Sequence, residues 1–487
     1  MARTIMTGIL ATLTALSTSP VSAADAFQWG AASAAYQVEG SPQADNKGRS
    51  VWDNYLDRDH LAGPGVSGAV AINFYDRDQY LKDIALFKEL GLTSYRFSIS
   101  WPRIIPDGLG PVNPAGVAHY RQFIDDLKAA GIKPMLTLYH WDMPESLEAA
   151  GGWENRDSVT WFKRYAEVVF EAFHDQVDLF VLVNEPSVER ATKTLAEDIR
   201  ATGKGQFKIL PDADHMAITL KTYNHILLAA AAAKESFDAH GYAGQVGLAL
   251  PLFPTLTQDG ASDADKASAV LADGVLNRWF LDAMYKGSYP RDVLDMAAAR
   301  GLDIDVQPED ARTIGQAHFD YLGINFYSPM YVRHGASPLD ALAEQFLPKD
   351  VYSAFNGAVR PDTFKALLER MKDDYGNPPI YITENGAGFA GEDVMVDGKV
   401  DDIQRCRYIV THIDAMRSAM DDGADVRGYY VWSSHDNLEW LSGYASRFGM
   451  IHVDWDIQAR TPKLSAEVYA RIIRGEPVTE PDCAART

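Results

Sequence analysis

Two glutamates stand where short apolar runs end. The run 177–183 leads into Asn184-Glu185-Pro186, and the run 380–383 leads into Glu384-Asn385-Gly386. Pro186 lacks the N–H that would continue a strand ladder, and Asn385-Gly386 is a turn signal. Both carboxyls are therefore expected at strand ends, facing a shared mouth. A lone Glu after a strand is most often a cap or an ion-pair partner. Two in matching positions suit cleavage of a glycosidic bond. One carboxyl protonates the departing oxygen while the other attacks the anomeric carbon or activates water.

Positioning two such groups requires a repeating frame. Strand-like segments fall at 27–32, 93–99, 133–139, 177–183, 244–250, 321–326, 380–383 and 426–432. Helix-like segments alternate with them at 73–90, 114–130, 156–173, 215–240, 263–286, 361–375, 403–422 and 465–474. In the first helix Tyr80, Ile84, Phe87 and Leu90 recur at spacings of three and four, and Gly91 closes it. Several strands are continuous apolar runs, which suits a parallel sheet covered on both faces. Eight strand–helix pairs without a linker or low-complexity stretch predict an α/β fold, a single (β/α)8 TIM barrel. Two segments, 190–212 and 330–360, are expected to be long non-strand inserts over the C-terminal face. That face carries the chemistry in such barrels.

Further motifs sharpen the reading. Tyr381-Ile382-Thr383-Glu384-Asn385-Gly386 resembles the nucleophile motif of family 1 glycoside hydrolases, the β-glucosidase family. The segment from Phe180 to Pro186 is similar to its acid/base motif, and 27–40, ending Tyr36-Gln37-Val38-Glu39-Gly40, to its N-terminal signature. Asp436-Asn437-Leu438-Glu439-Trp440 and Arg447-Phe448-Gly449 resemble its sugar-binding segments. The resemblance spans 27–474 and implies a retaining double displacement. Glu384 would be the nucleophile and Glu185 the acid/base, with the higher pKa on Glu185. Arg96 and Tyr327 would tune the nucleophile. Gln37, His140, Asn184 and Glu439 would bind sugar hydroxyls, and Trp432 and Trp440 would face the ring. Trp141, Asn325, Tyr327 and Phe448 would add contacts. Glu439 favours a neutral sugar over a phosphosugar, and Glu185 argues against a thioglucosidase. The implied activity is β-glucosidase. A transglycosylase using the same residues and a non-catalytic sugar-binding relative are the alternatives.

The chain departs from the family at three places. Leu182 stands where Thr is usual and is expected only to repack the barrel. His435 replaces an apolar residue, with an aglycone contact, a core place and a surface place all open. After Pro186 the chain reads Ser187-Val188-Glu189-Arg190, and Asp212-Ala213-Asp214-His215 replaces the usual ending of that segment. An unusual aglycone pocket is expected there.

Composition bounds the rest. The 487 residues are 47% hydrophobic and 23% charged, enough for a large core. A formal net charge of -22 excludes a nucleic-acid footprint. Arg3, an uncharged stretch to Leu16 and Val21-Ser22-Ala23 read as a signal peptide over 1–23. The hydrolase domain would then occupy 24–487, exported to a periplasm or the medium. No later segment is apolar enough to span a membrane. An exported protein could pair Cys406 with Cys483; the polar tail around Cys483 makes pairing the minority reading, and the question is left open. No metal or cofactor is expected, because side chains fill both catalytic roles. The expected partner is a small-molecule or oligosaccharide β-glycoside, and the oligomeric state is left open.

Overall fold

A computed structural model describes residues 27–335 and 343–486. Its centre is a closed barrel of eight parallel strands in chain order. They are β1 (Gln28–Ala32), β2 (Ser94–Ser98), β3 (Lys133–Tyr139), β4 (Leu179–Asn184), β5 (Gln245–Pro251), β6 (Tyr321–Phe326), β7 (Ile380–Asn385) and β8 (Val426–Trp432). Closure comes from β1, which pairs with β2 on one side and with β8 on the other, Gly30 opposite Tyr430. Every residue of β4, β6 and β7 is buried. This is the cause of the apolar runs with which they begin: helices cover the outer face and side chains fill the lumen.

The covering helices follow the expected alternation. α1 (Arg77–Leu90) starts where the Asp76 carboxylate accepts from the Gln79 N–H and ends at Gly91, whose φ of 82° few other residues tolerate. α2 (Pro114–Ala129) and α3 (Ser158–Phe173) precede β3 and β4. The expected helix 263–286 is divided. Asp263–Asp273 and Trp279–Lys286 flank a wider turn at Gly274–Arg278, where Arg278 pairs with both Asp273 and Asp292.

The inserts differ from expectation. The segment read as a loop at 190–212 begins as a helix, α4 (Pro186–Thr202). Its apolar Val188, Ala191, Leu195 and Ile199 recur at helical spacing, and its charges clamp it down. Arg190 donates to Glu154 and Glu197, each at 2.8 Å, and Lys193 lies 2.8 Å from Glu148. α5 (Met216–His240) follows and packs on α3. The 330–360 insert also contains strands. Met330–Arg333 pairs antiparallel with Glu344–Phe346, fastened by an Arg333–Glu344 ion pair of 2.7 Å, and in parallel with Thr255–Leu256. Ser353–Ala354 and Gly357–Ala358 make a small hairpin. Strands this short carry no periodicity of their own; pairing partners far along the chain create them.

After α6 (Pro361–Tyr375), α7 (Ile403–Asp421) and α8 (Leu464–Ile473) close the ring. The structure decides the cysteine pairing left open by the sequence, in favour of the minority reading. Cys406 on α7 and Cys483 form a disulfide with a Cα–Cα distance of 5.7 Å, both buried. Composition made the tail look solvated, but a turn at Glu480–Asp482 and the Arg471–Asp482 and Arg486–Asp401 ion pairs fold it onto α7. Among the described residues no helix is long and apolar enough to cross a membrane. The segment 1–23 lies outside the described residues.

Candidate active site

Both glutamates stand on the C-terminal rim, three strands apart, where the ladder is irregular. Glu185 follows β4 as the N-cap of α4, with φ 46° and ψ 64°. A β-carbon crowds the backbone in this left-handed region, and such residues concentrate at functional sites. The Glu185 N–H is held by the Ala249 carbonyl at 2.9 Å. Register between β4 and β5 shifts between Val181 and Asn184. The β7 register shifts against β6 just before Glu384 and against β8 just before Asn385. Bulges of this kind turn a side chain out of the regular pleat and aim it.

The two carboxyls share one cavity but not one environment. Arg96 Nη1 donates to Glu384 Oε1 at 2.6 Å, and Tyr327 Oη donates to Oε2 at 2.7 Å. Arg96 is itself buried and oriented. Its Nη2 donates to Asn184 Oδ1 at 2.5 Å, and its Nε donates to Thr137 Oγ1 at 3.2 Å. Asn325 joins the network, donating to Asn184 Oδ1 at 3.1 Å and accepting from Thr383 Oγ1 at 2.6 Å. Burial pushes both carboxyls up, because it penalises the charged form. Glu185 goes well above the ordinary range, through burial first and the neighbouring Glu384 charge second. Glu384 rises less, since the Arg96 guanidinium and the Arg96 and Tyr327 hydrogen bonds favour its carboxylate. Of the two, Glu185 is therefore the one that holds a proton more tightly.

The cavity around them is about 490 Å³. Of the residues expected at the site, His140, Trp141, Tyr327, Trp432, Glu439, Trp440 and Phe448 line it with the two glutamates. Arg96, Asn184, Asn325 and Gln37 stand behind that lining, fully buried, and hold it in place. Gln37 Nε2 donates to the Leu438 carbonyl at 2.8 Å and to Glu439 Oε2 at 3.3 Å. Asn184 Nδ2 lies 3.0 Å from His140 Nε2, and Trp141 Nε1 donates to the Asn184 carbonyl at 2.9 Å. Burial, then the Glu384 charge, pushes Glu439 up to about 8. The Trp432 and Trp440 rings flank His140, with centroids at 5.6 and 5.9 Å. Trp141 and Trp440 also take positive φ, 73° and 47°.

Two departures resolve at this point. Leu182 is fully buried in the barrel. His435 is buried as well, 3.3 Å from Asp83 and in ring contact with Phe74 and Phe87. It belongs to the core beside α1 and does not reach the aglycone side. The inserts that build the outer cavity wall were expected over this face, but the side chains that form it went unread in the sequence. Val188 and Leu195 come from α4, Phe207 and Ile209 from the segment after it, and Leu347 and Phe355 from the second insert. Only the helical spacing within α4 could have revealed any of them. Among the described residues no cluster of His, Cys, Asp and Glu could hold a metal ion.

Comparison with known proteins agrees with this geometry. The model of glycosyl hydrolase family 1 matches residues 21–477. "Beta-glucosidase A" of Enterobacter agglomerans is 64% identical over 462 residues, covering 94% of this chain and 96% of that protein. "Beta-glucosidase A" of Acetivibrio thermocellus is 34% identical over 455 residues, with 92% and 97% covered. A β-glucosidase structure from Exiguobacterium antarcticum superposes with a TM-score of 0.83 at 37% identity, covering 92% of this chain and 97% of that one. The Thermotoga maritima β-glucosidase in complex with glucoimidazole gives 0.82 at 34% identity, with 92% and 98% covered. Rim carboxylates, barrel and sequence agree: the chain belongs to glycosyl hydrolase family 1.

Proposed function

We propose that this protein is an exported, retaining β-glucosidase that releases terminal β-D-glucosyl residues. The observation that carries the reading is the unequal pair in one cavity: Glu384 held by Arg96 and Tyr327, and Glu185 pushed further up by burial and the Glu384 charge. Glu384 attacks the anomeric carbon, and its bond to that carbon forms as the bond to the leaving oxygen breaks. Glu185 gives its proton to that oxygen. Water then enters, Glu185 takes its proton, and the glycosyl–Glu384 bond breaks to release sugar of retained configuration. Gln37 Oε1 and His140 Nδ1 are buried without hydrogen-bond partners among the described residues, which suits groups that pair with substrate hydroxyls. Trp432 and Trp440 offer the apolar faces on which a pyranose packs.

Export is supported by the Cys406–Cys483 disulfide, a bond typical of oxidising compartments. Cell fractionation tests it: activity confined to the cytoplasm would overturn it. Acceptor choice falls to the segment after Pro186, where this chain leaves the family pattern. The activity is tested with aryl β- and α-glycosides, following the anomer first released by proton NMR. The expected result is β-selective turnover with β-glucose released first. Turnover of α-glucosides alone, or inverted product, would overturn the reading. Product analysis with added alcohol separates hydrolysis from glycosyl transfer.

A further inference from the structure

A buried ion cluster behind the cavity joins the segment that follows Glu384 to the segment that carries Glu439. On the first side, Arg405 Nε donates at 2.8 Å to the carbonyl of Ala387, three residues past Glu384, and its Nη1 and Nη2 donate to Asp393 at 2.8 and 2.9 Å. On the second side Asp436 stands three residues before Glu439, and its Oδ2 accepts from Arg447 Nη1 at 2.6 Å. Lys463 Nζ bridges the two sides. It donates to Asp393 and, at 2.7 Å, to Asp436 Oδ1. Among the described residues no other cation pairs with both of these carboxylates. Lys463, Arg405 and Asp436 are fully buried, and none of them lines the cavity. Lys463 is fixed in its own right at the start of α8, where its N–H donates to the Met450 carbonyl at 2.9 Å. The Asp436 segment has no slack either. Gly449 lies against it so closely that a β-carbon there would collide with the Asp436 backbone nitrogen, so Phe448 in the cavity wall follows Asp436.

We propose that Lys463 is a positioning residue for sugar recognition, whose two ion pairs set the place of Glu439 relative to Glu384. The proposal rests on the β-glucosidase reading, in which Glu439 holds sugar hydroxyls. Buried carboxylates repel one another strongly because water does not screen them there. Lys463 is the shared counter-charge that lets Asp393 and Asp436 stand on either side of one point. Without it each keeps an arginine, Arg405 or Arg447, but nothing offsets the repulsion between them. The two segments then separate, and Glu439 moves with Asp436. A misplacement of about 1 Å is enough to spoil a positioned contact. The loss falls on the hydroxyls that Glu439 reads. The Arg96–Glu384 pair is spared, because both residues stand on barrel strands.

Deoxy sugars separate positioning from general stability. The test measures kcat/KM for an aryl β-D-glucoside and for its 2-, 3-, 4- and 6-deoxy analogues. The proteins are wild type, Glu439→Ala, Lys463→Met and the double variant Lys463→Met/Asp393→Asn, each with its melting temperature. Glu439→Ala marks the hydroxyls that Glu439 holds, as those whose deletion no longer lowers the rate. At these same positions the deletion penalty should shrink about fivefold or more in Lys463→Met, while at the others it stays within about twofold of wild type. Lys463→Met leaves buried charge unpaired and threatens the fold. The double variant removes an anion with the cation, so it should regain most of the lost melting temperature and still show the shrunken penalties. If Lys463→Met does not fold, the double variant decides by the same criterion. Three results would overturn the proposal and leave the β-glucosidase reading standing: no hydroxyl marked by Glu439→Ala, penalties shrunken evenly at all positions or at none, or penalties restored along with the melting temperature. Absence of turnover of every β-glucoside by wild type would overturn that reading, and the proposal with it.

Discussion

At the scale of single residues, partners decide what each glutamate does. Glu384 is stabilised as an anion by Arg96 and Tyr327, while Glu185 has a buried environment and a negative neighbour. Tyr327→Phe removes a donor that lowers the Glu384 pKa, so that pKa should rise. The acid limb of the kcat/KM–pH profile, which reports the free enzyme, should then move to higher pH. An unmoved limb would exclude Tyr327 as a tuning group. Glu185→Gln should cost about 10² to 10⁴ in kcat/KM toward glycosides with poor leaving groups. The cost should shrink for activated aryl glycosides, whose leaving oxygen needs less protonation. Glu189, one helical turn past Glu185, makes a different point. Burial pushes its carboxyl up to about 8, although Tyr139 donates to it. A raised acid is protonated in both states below about pH 4, and folding then takes up a proton as pH rises through the range up to 8. Stability is therefore lost across that range. Glu189→Gln should raise the melting temperature little at pH 4 and increasingly toward pH 8, measured by calorimetry across pH.

At the scale of elements, the barrel strands carry the network around Glu384 and the inserts form the outer cavity wall. β2, β4, β6 and β7 deliver Arg96, Asn184, Asn325 and Glu384 into one hydrogen-bonded network. Rim strands can do this because their ladders fix the backbone to a fraction of an ångström, which a loop could not. α4 is fastened differently, by side-chain ion pairs. Arg190→Ala should cost about 1–2 kcal/mol of stability, because Glu154 and Glu197 keep partial access to water. The same change should raise KM for bulky β-glucosides more than it lowers kcat, as α4 carries Val188 and Leu195. Equal loss in both parameters would show that α4 supports the chemistry itself.

At the scale of the whole molecule, a covalent tie closes the chain on itself. The disulfide links residues 77 apart, which by chain entropy corresponds to an upper contribution of about 4.5 kcal/mol. α7, which carries Cys406, also carries Arg405 and Tyr408. Arg405 donates to the Ala387 carbonyl just past Glu384, and Tyr408 donates to the Tyr327 carbonyl. Replacing both cysteines by alanine should lower the denaturation midpoint, with activity lost at lower denaturant than in wild type. An unchanged midpoint would show that the tail is held by its ion pairs alone.

What could be read from the chain and what could not divide along physical lines. Eight strands and the helices between them were legible because their signal is local. Helical spacing and unbroken apolar runs follow directly from which face is buried. The two glutamates were legible because proline and Asn-Gly mark strand ends, and the resemblance added Arg96 and Tyr327. The sequence by itself thus determined the barrel and the residues to watch at its rim. Tertiary structure alone decided the rest, because it depends on groups far apart in the chain. It clamped the helix after Pro186 onto Glu148 and Glu154, folded a polar tail onto Cys406, and buried His435 against Asp83. It also set the proton affinities of Glu185 and Glu384 apart, since these are decided by burial and by neighbours that no spacing encodes.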